Sequence, residues 1–68
     1  MADPVFRKCQ IVGTSTKSFE EAVANAVASA QAELRTMSWF EVVEQRGSVA
    51  DGKIQQYQVT IQIGYRVD

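Results

Sequence analysis

The run WFEVVEQRGSVADGKIQQYQVTIQIGYRV, residues 39–67, decides the fold. In its second half Tyr57, Val59, Ile61, Ile63, Tyr65 and Val67 alternate with Gln56, Gln58, Thr60, Gln62, Gly64 and Arg66. A period of two marks a strand with one buried and one wet face. Asp51-Gly52 is a favoured two-residue hairpin turn, because both positions tolerate positive φ. Trp39–Ala50 and Lys53–Val67 therefore read as the arms of one long hairpin. With Ala50 paired to Lys53, opposed residues sum to 103. Phe40 then meets Ile63 and Val42 meets Ile61 on the inward face, an apolar match that supports this register. On the outward face Trp39 lies across from Gly64 and Gln45 across from Gln58. Towards the turn the inward pattern becomes polar, with Glu44 opposite Val59 and Arg46 opposite Tyr57.

Upstream the periodicity changes. SFEE at residues 18–21 fits a capping box, in which the Ser18 hydroxyl and the Glu21 carboxylate satisfy each other's free backbone donors. Phe19, Ala22, Val23, Ala26, Val27, Ala30 and Leu34 then recur at three- and four-residue steps, which predicts a helix over about 19–35. Its alanine-rich stripe allows close approach to a sheet. Glu20 and Glu21 suit the positive end of the helix dipole and Arg35 the negative end. Val5–Gly13 reads as a strand, with Val5, Cys9 and Ile11 on one side and Lys8 and Gln10 on the other. Phe6 and Val12 break that alternation. Residues 13–18 form a loop of small polar residues, and Met1–Pro4 a loose start. The order β-α-β-β predicts one α+β domain over residues 1–68, an antiparallel sheet with a helix on one face.

Lengths add a constraint. A helix of about 17 residues is about 25 Å long. Strands of roughly 12 to 15 residues reach about 40 to 50 Å. The helix cannot cover the hairpin, so the turn end projects beyond it, and a bare two-stranded ribbon is barely stable in water. A chain of 68 residues also buries a smaller share of its surface than larger domains do. The usual remedies are disulfides, a metal or partner subunits. Cys9 is the only cysteine and there is no histidine, which leaves neither a disulfide nor a zinc site within one chain. Self-association remains.

Seven basic and eight acidic residues leave a net charge of -1 at pH 7, without the basic stripe of a nucleic-acid binder. No run approaches the roughly 20 apolar residues that span a bilayer, and no signal-peptide pattern opens the chain. The expectation is a cytoplasmic protein with Cys9 reduced. A hydrophobic share of 46% is too high for disorder.

Trp39 is the unusual residue, an indole on the polar face beside a glycine. It reads either as an exposed aromatic that packs on a neighbouring subunit or as a stacking platform, with Gly64 leaving space for a flat ring. Gln58 is either a solvated strand residue or an amide offering a donor and an acceptor together. Arg46 pairs with Glu44, or a neighbouring chain, or contacts a ligand. Trp39 and Gln58 lie six pairs apart, roughly 20 Å along the ribbon. One ligand reaches both only if they come from different chains.

The segments WFEV at 39–42, EQRG at 44–47, DGK at 51–53 and YQV at 57–59 together resemble the dodecin pattern. Val12-Gly13 before the serine-rich loop, Glu21-Ala22 and the alanine-stepped helix match as well, so the resemblance covers about Val5 to Val67. It implies a three-stranded antiparallel sheet folded around one helix and assembled into a hollow homododecamer. It implies binding of FMN, riboflavin or lumichrome in pairs at intersubunit pockets, as a flavin store or buffer. Carried over, Trp39 stacks on the isoalloxazine, Gln58 bonds the polar edge of the ring, and Arg46 lies near the ligand tail. Some members also bind coenzyme A on the outer surface, where Arg66 would help. Tyr65 replaces a common phenylalanine and Gln62 a common lysine, which weakens the coenzyme A reading.

Two rivals remain. An enzyme would need a proton-transfer group, most often histidine, which is absent. Cys9, among apolar strand neighbours, packs as a small hydrophobe, so no turnover is expected. The other rival is an oligomeric scaffold, or a coenzyme A-binding protein, with no flavin role.

Overall fold

A computed structural model describes residues 3–67; of the loose start expected at Met1–Pro4, Met1 and Ala2 lie outside the described residues. The elements follow the expected order: β1 (Phe6–Ser15), α1 (Phe19–Ala30), β2 (Met37–Ala50) and β3 (Lys53–Arg66). All three strands form one antiparallel sheet in the order β1-β3-β2. Thus β3, the strand with the cleanest alternation, is central and both its flanks are paired.

The turn forms as read, with φ of 54° at Asp51 and 74° at Gly52. The register sum of 103 holds at both ends of the hairpin, for Trp39–Gly64, Phe40–Ile63 and Val42–Ile61 and again for Val49–Ile54 and Ala50–Lys53. It fails between them. Irregularities lie between Val42 and Glu44 and between Ser48 and Val49, so Glu44 pairs with Thr60, Gln45 with Val59, Arg46 with Gln58 and Gly47 with Tyr57. Val43 is the extra residue of a β-bulge on β2, and Gln55 restores the register on β3. Because side chains alternate, a one-residue slip exchanges the two faces. The expected placement of Glu44 and Arg46 inward and Gln45 outward is therefore reversed.

The helix starts as expected: the Ser18 hydroxyl accepts from the Glu21 amide at 3.0 Å. The reciprocal arm of the capping box is replaced. Buried Ser15 accepts from the amides of Lys17 (2.9 Å) and Ser18 (3.3 Å) and donates to the Glu21 carboxylate at 2.7 Å. The helix is shorter than predicted, ending at Ala30 rather than near residue 35. The chain then tightens, with Ala32 and Glu33 donating to carbonyls three residues back and Leu34 to Ala30 at 2.8 Å. That winding lets Leu34 keep packing against the core while the backbone leaves for β2. Arg35 consequently lies outside the helix, whose last turn carries no basic residue.

The core is small. Val59, Ile61 and Ile63 of β3 are fully buried against Ala22, Ala26 and Ala30 of α1, with Ile11, Val23, Val27, Leu34 and Met37 around them. Each such β3 side chain contributes about 1.5–3 kcal/mol on burial. Gly13 makes the close approach possible, since a Cβ there would fall on the Ala22 carbonyl and within 2.7 Å of the Ala26 Cβ. The helix lies over β1 and β3. β2 is left bare, with Phe40 49% and Val42 46% exposed on the helix side of the sheet. A groove of about 710 Å³ runs there between α1 and β2, lined by Phe19, Val23, Val27, Phe40, Val42 and Val59 among others. The hairpin end projects as expected, and the molecule measures 58 × 20 × 13 Å. Phe19 meets Tyr57 edge-on, centroids 5.0 Å apart, and anchors the root of the projecting ribbon.

Candidate functional site

The outer sheet face, turned away from the helix, carries most of the polar strand residues and every predicted site residue. β3 contributes Arg66, Gly64, Gln62, Thr60, Gln58 and Gln56; β1 and β2 supply the partners their registers dictate.

At one end stands Trp39, 41% exposed and pointing outward rather than under the helix. The space above Gly64 is filled by the indole itself, since a Cβ at that position would lie within the Trp39 ring. Gly64 thus makes room for the tryptophan, not directly for a ligand as the sequence reading had it. Phe6 packs beside the indole, centroids 5.2 Å apart and planes tilted by 60°. The indole nitrogen donates to Glu41 Oε1 at 3.3 Å, and Lys8 Nζ meets the same oxygen at 3.0 Å. The Lys8 ammonium, and secondarily the indole N–H, hold the Glu41 carboxyl below its usual range by stabilising its charged form. Arg66 is at this end too, two residues from Gly64 on the same face, with its backbone tied to Thr36.

The other end is polar. Arg46 Nε donates to Gln58 Oε1 at 2.7 Å, and Gln58 Nε2 donates to Gln56 Oε1 at 2.8 Å. An arginine has only donors, so it fixes the carbonyl end of the Gln58 amide towards itself. The part-buried amide keeps capacity for one more donated and one more accepted bond. The Val43 bulge creates this pairing by turning Arg46 to the outer face beside Gln58.

The four predicted residues thus fall into two pairs, Trp39 with Arg66 and Arg46 with Gln58. Six residues of β3 separate Gly64 from Gln58, about 20 Å. Sequence reasoning missed Phe6, Lys8, Glu41 and Gln56. Phe6 had a signal, since its break in the apolar alternation of β1 is what sets it on the outer face beside Trp39. Glu41, two residues beyond Trp39 on one strand, shares its face by simple alternation. The long-range partner Lys8 has no local signal. The groove on the opposite face is lined mainly by apolar side chains, with Glu20, Gln31 and Gln45 among them, so it reads as a packing surface rather than a ligand pocket.

The family model for dodecin matches residues 5–68. The chain belongs to the dodecin family. The dodecin of Thermus thermophilus is 39% identical over 64 residues, covering 94% of this chain and 93% of that protein. Among solved structures, the dodecin of Streptomyces davaonensis superposes with a TM-score of 0.93 at 40% identity, covering 98% of each chain. That of Streptomyces coelicolor superposes with a TM-score of 0.94 at 38% identity, covering 100% of this chain and 97% of the other. The dodecin β-α-β-β architecture is therefore present in full. Among the described residues no helix is long and apolar enough to cross a membrane, and no group of three His, Cys, Asp or Glu side chains is placed to hold a metal ion.

Proposed function

We propose that this dodecin stores and buffers flavin, binding FMN, riboflavin or lumichrome at pockets completed by neighbouring copies in a homododecamer. One observation carries the reading. An exposed indole, set against the sheet over Gly64, stands about 20 Å from the Gln58 amide that Arg46 orients on the same face, so a flat ligand touches both only when two chains meet. An isoalloxazine suits both ends. Its broad π-system stacks on Trp39, worth about 1–3 kcal/mol by analogy with nucleobases on aromatic side chains. Its polar edge, alternating donors and acceptors, matches the bonding capacity left on Gln58. Arg46 holds that amide in place and lies near the ligand tail; Arg66, at the indole end, supplies a cation for a phosphate of FMN or coenzyme A. The bare surface of Phe40, Val42, Phe19 and Val23 is what a partner subunit would cover. With no histidine in the chain to serve as the usual acid-base group, the role is binding and not turnover.

Titration with FMN, riboflavin and lumichrome, followed by quenching of flavin fluorescence, tests this directly. The wild type quenches, and Trp39→Ala abolishes quenching while keeping its assembly size. Twelve chains of 7.5 kDa give a particle of about 90 kDa. A wild type that leaves flavin fluorescence unchanged, or elutes as a single chain, sinks the reading.

A further inference from the structure

We infer that Glu41, held by Lys8, is a positioning residue that locks the rotation of the Trp39 indole and so sets the plane on which a flat ring stacks. The inference rests on the stacking role proposed above and adds a residue pair to it. An exposed tryptophan on a sheet surface is free to swing about its two side-chain torsions. Three contacts restrain this one. The absence of a Cβ at Gly64 lets the ring settle against β3, and Phe6 fills one side at 5.2 Å between centroids. Both are apolar and leave the ring free to turn over. Only the bond from Nε1 to Glu41 Oε1, at 3.3 Å, distinguishes one edge of the indole from the other.

Glu41 would itself be mobile without support, since it lies on the exposed edge strand β2. Its support comes from the far edge of the sheet. Lys8 of β1 reaches across β3 to the same carboxylate oxygen at 3.0 Å, so the ion pair spans the width of the three-stranded sheet. Two donors on one oxygen explain why the carboxyl stays charged, and a charged acceptor holds an N–H more firmly than a neutral one.

The chain has one tryptophan, so its near-ultraviolet circular dichroism band reports the indole's fixed orientation without interference from another. Wild type, Glu41→Ala, Glu41→Gln and Lys8→Met are compared as full-length protein by that band, by assembly size and by riboflavin titration. The Glu41→Ala variant is expected to lose most of the band and to bind riboflavin about fivefold to tenfold more weakly at unchanged assembly size. Glu41→Gln keeps a neutral acceptor and is expected to restore the band and most of the affinity, with Lys8→Met in between. In a Trp39→Phe background, which keeps a ring but has no N–H, Glu41→Ala is expected to change affinity by less than about twofold, because the coupling has been removed. An unchanged band in Glu41→Ala, or equal affinity loss in both backgrounds, overturns the inference. A wild type that binds no flavin overturns the proposed function instead, while the dichroism band still decides whether Glu41 holds the indole.

Discussion

The two flanks of β3 share a central strand and differ in almost everything else. On one flank β1 lies beneath α1, brought close by Gly13 and a stripe of alanines. On the other flank β2 is exposed along nearly its whole length, although Phe40 and Val42 pair in register with Ile63 and Ile61. Ile61 is fully buried and its partner Val42 is 46% exposed, two apolar residues side by side on one sheet face. A helix that packs closely on β1 and β3 cannot also reach β2. The protomer is therefore finished on one side and unfinished on the other, which is the physical basis for expecting partner copies against β2.

Substitution at the paired residues gives the largest test of that contrast. Ile61→Ala removes a fully buried side chain and is expected to cost about 2–5 kcal/mol in urea unfolding. Val42→Ala is expected to cost under about 0.5 kcal/mol in a dispersed protomer, and to show its effect mainly as loss of the high-mass species in size exclusion. Equal losses in the protomer would erase the distinction between the flanks. The next effect sharpens the reason for it. Gly13→Ala drives a Cβ into the first turns of α1, and its cost should be about 1–3 kcal/mol, seen as a lower urea midpoint. If the variant is as stable as wild type, close helix approach is not what leaves β2 bare.

The smallest effect concerns the exposed face that crosses both flanks. Glu41 has its carboxyl pKa lowered from 4.5 in the folded protein, chiefly by Lys8. A lowered folded value means stability present above the unfolded pKa and lost as pH falls through the folded one. Thermal scans should therefore show a slight advantage of wild type over Glu41→Gln at pH 7, eroding as pH falls below about 4.5 and lost once it has fallen through the lowered folded value. Both side chains are about half exposed, so solvent and salt keep the effect small. A difference that grew on acidification would contradict the ion pair.

Much of this was legible along the chain. The Asp51-Gly52 turn, the Ser18 cap and the alternation of β3 each rest on neighbours in sequence, so local chemistry is enough to specify them. The alternation alone put Trp39, Gly64 and Gln58 on one outer face. The family resemblance covered nearly the whole chain, and the family model bears it out.

What the tertiary structure decided was everything that depends on one missing or extra residue. A bulge at Val43 costs the sequence pattern almost nothing, only an adjacent apolar pair, yet it exchanges the faces of β2 and brings Arg46 beside Gln58 instead of Gln45. The helix end at Ala30 was set by where β2 had to begin, not by propensity, since residues 31–35 are good helix formers. The brace of Lys8 on Glu41 joins residues 33 positions apart through a strand that lies between them. Local periodicity fixes which residues share a face; only the closed sheet, with its compensating bulges, determines which of them touch.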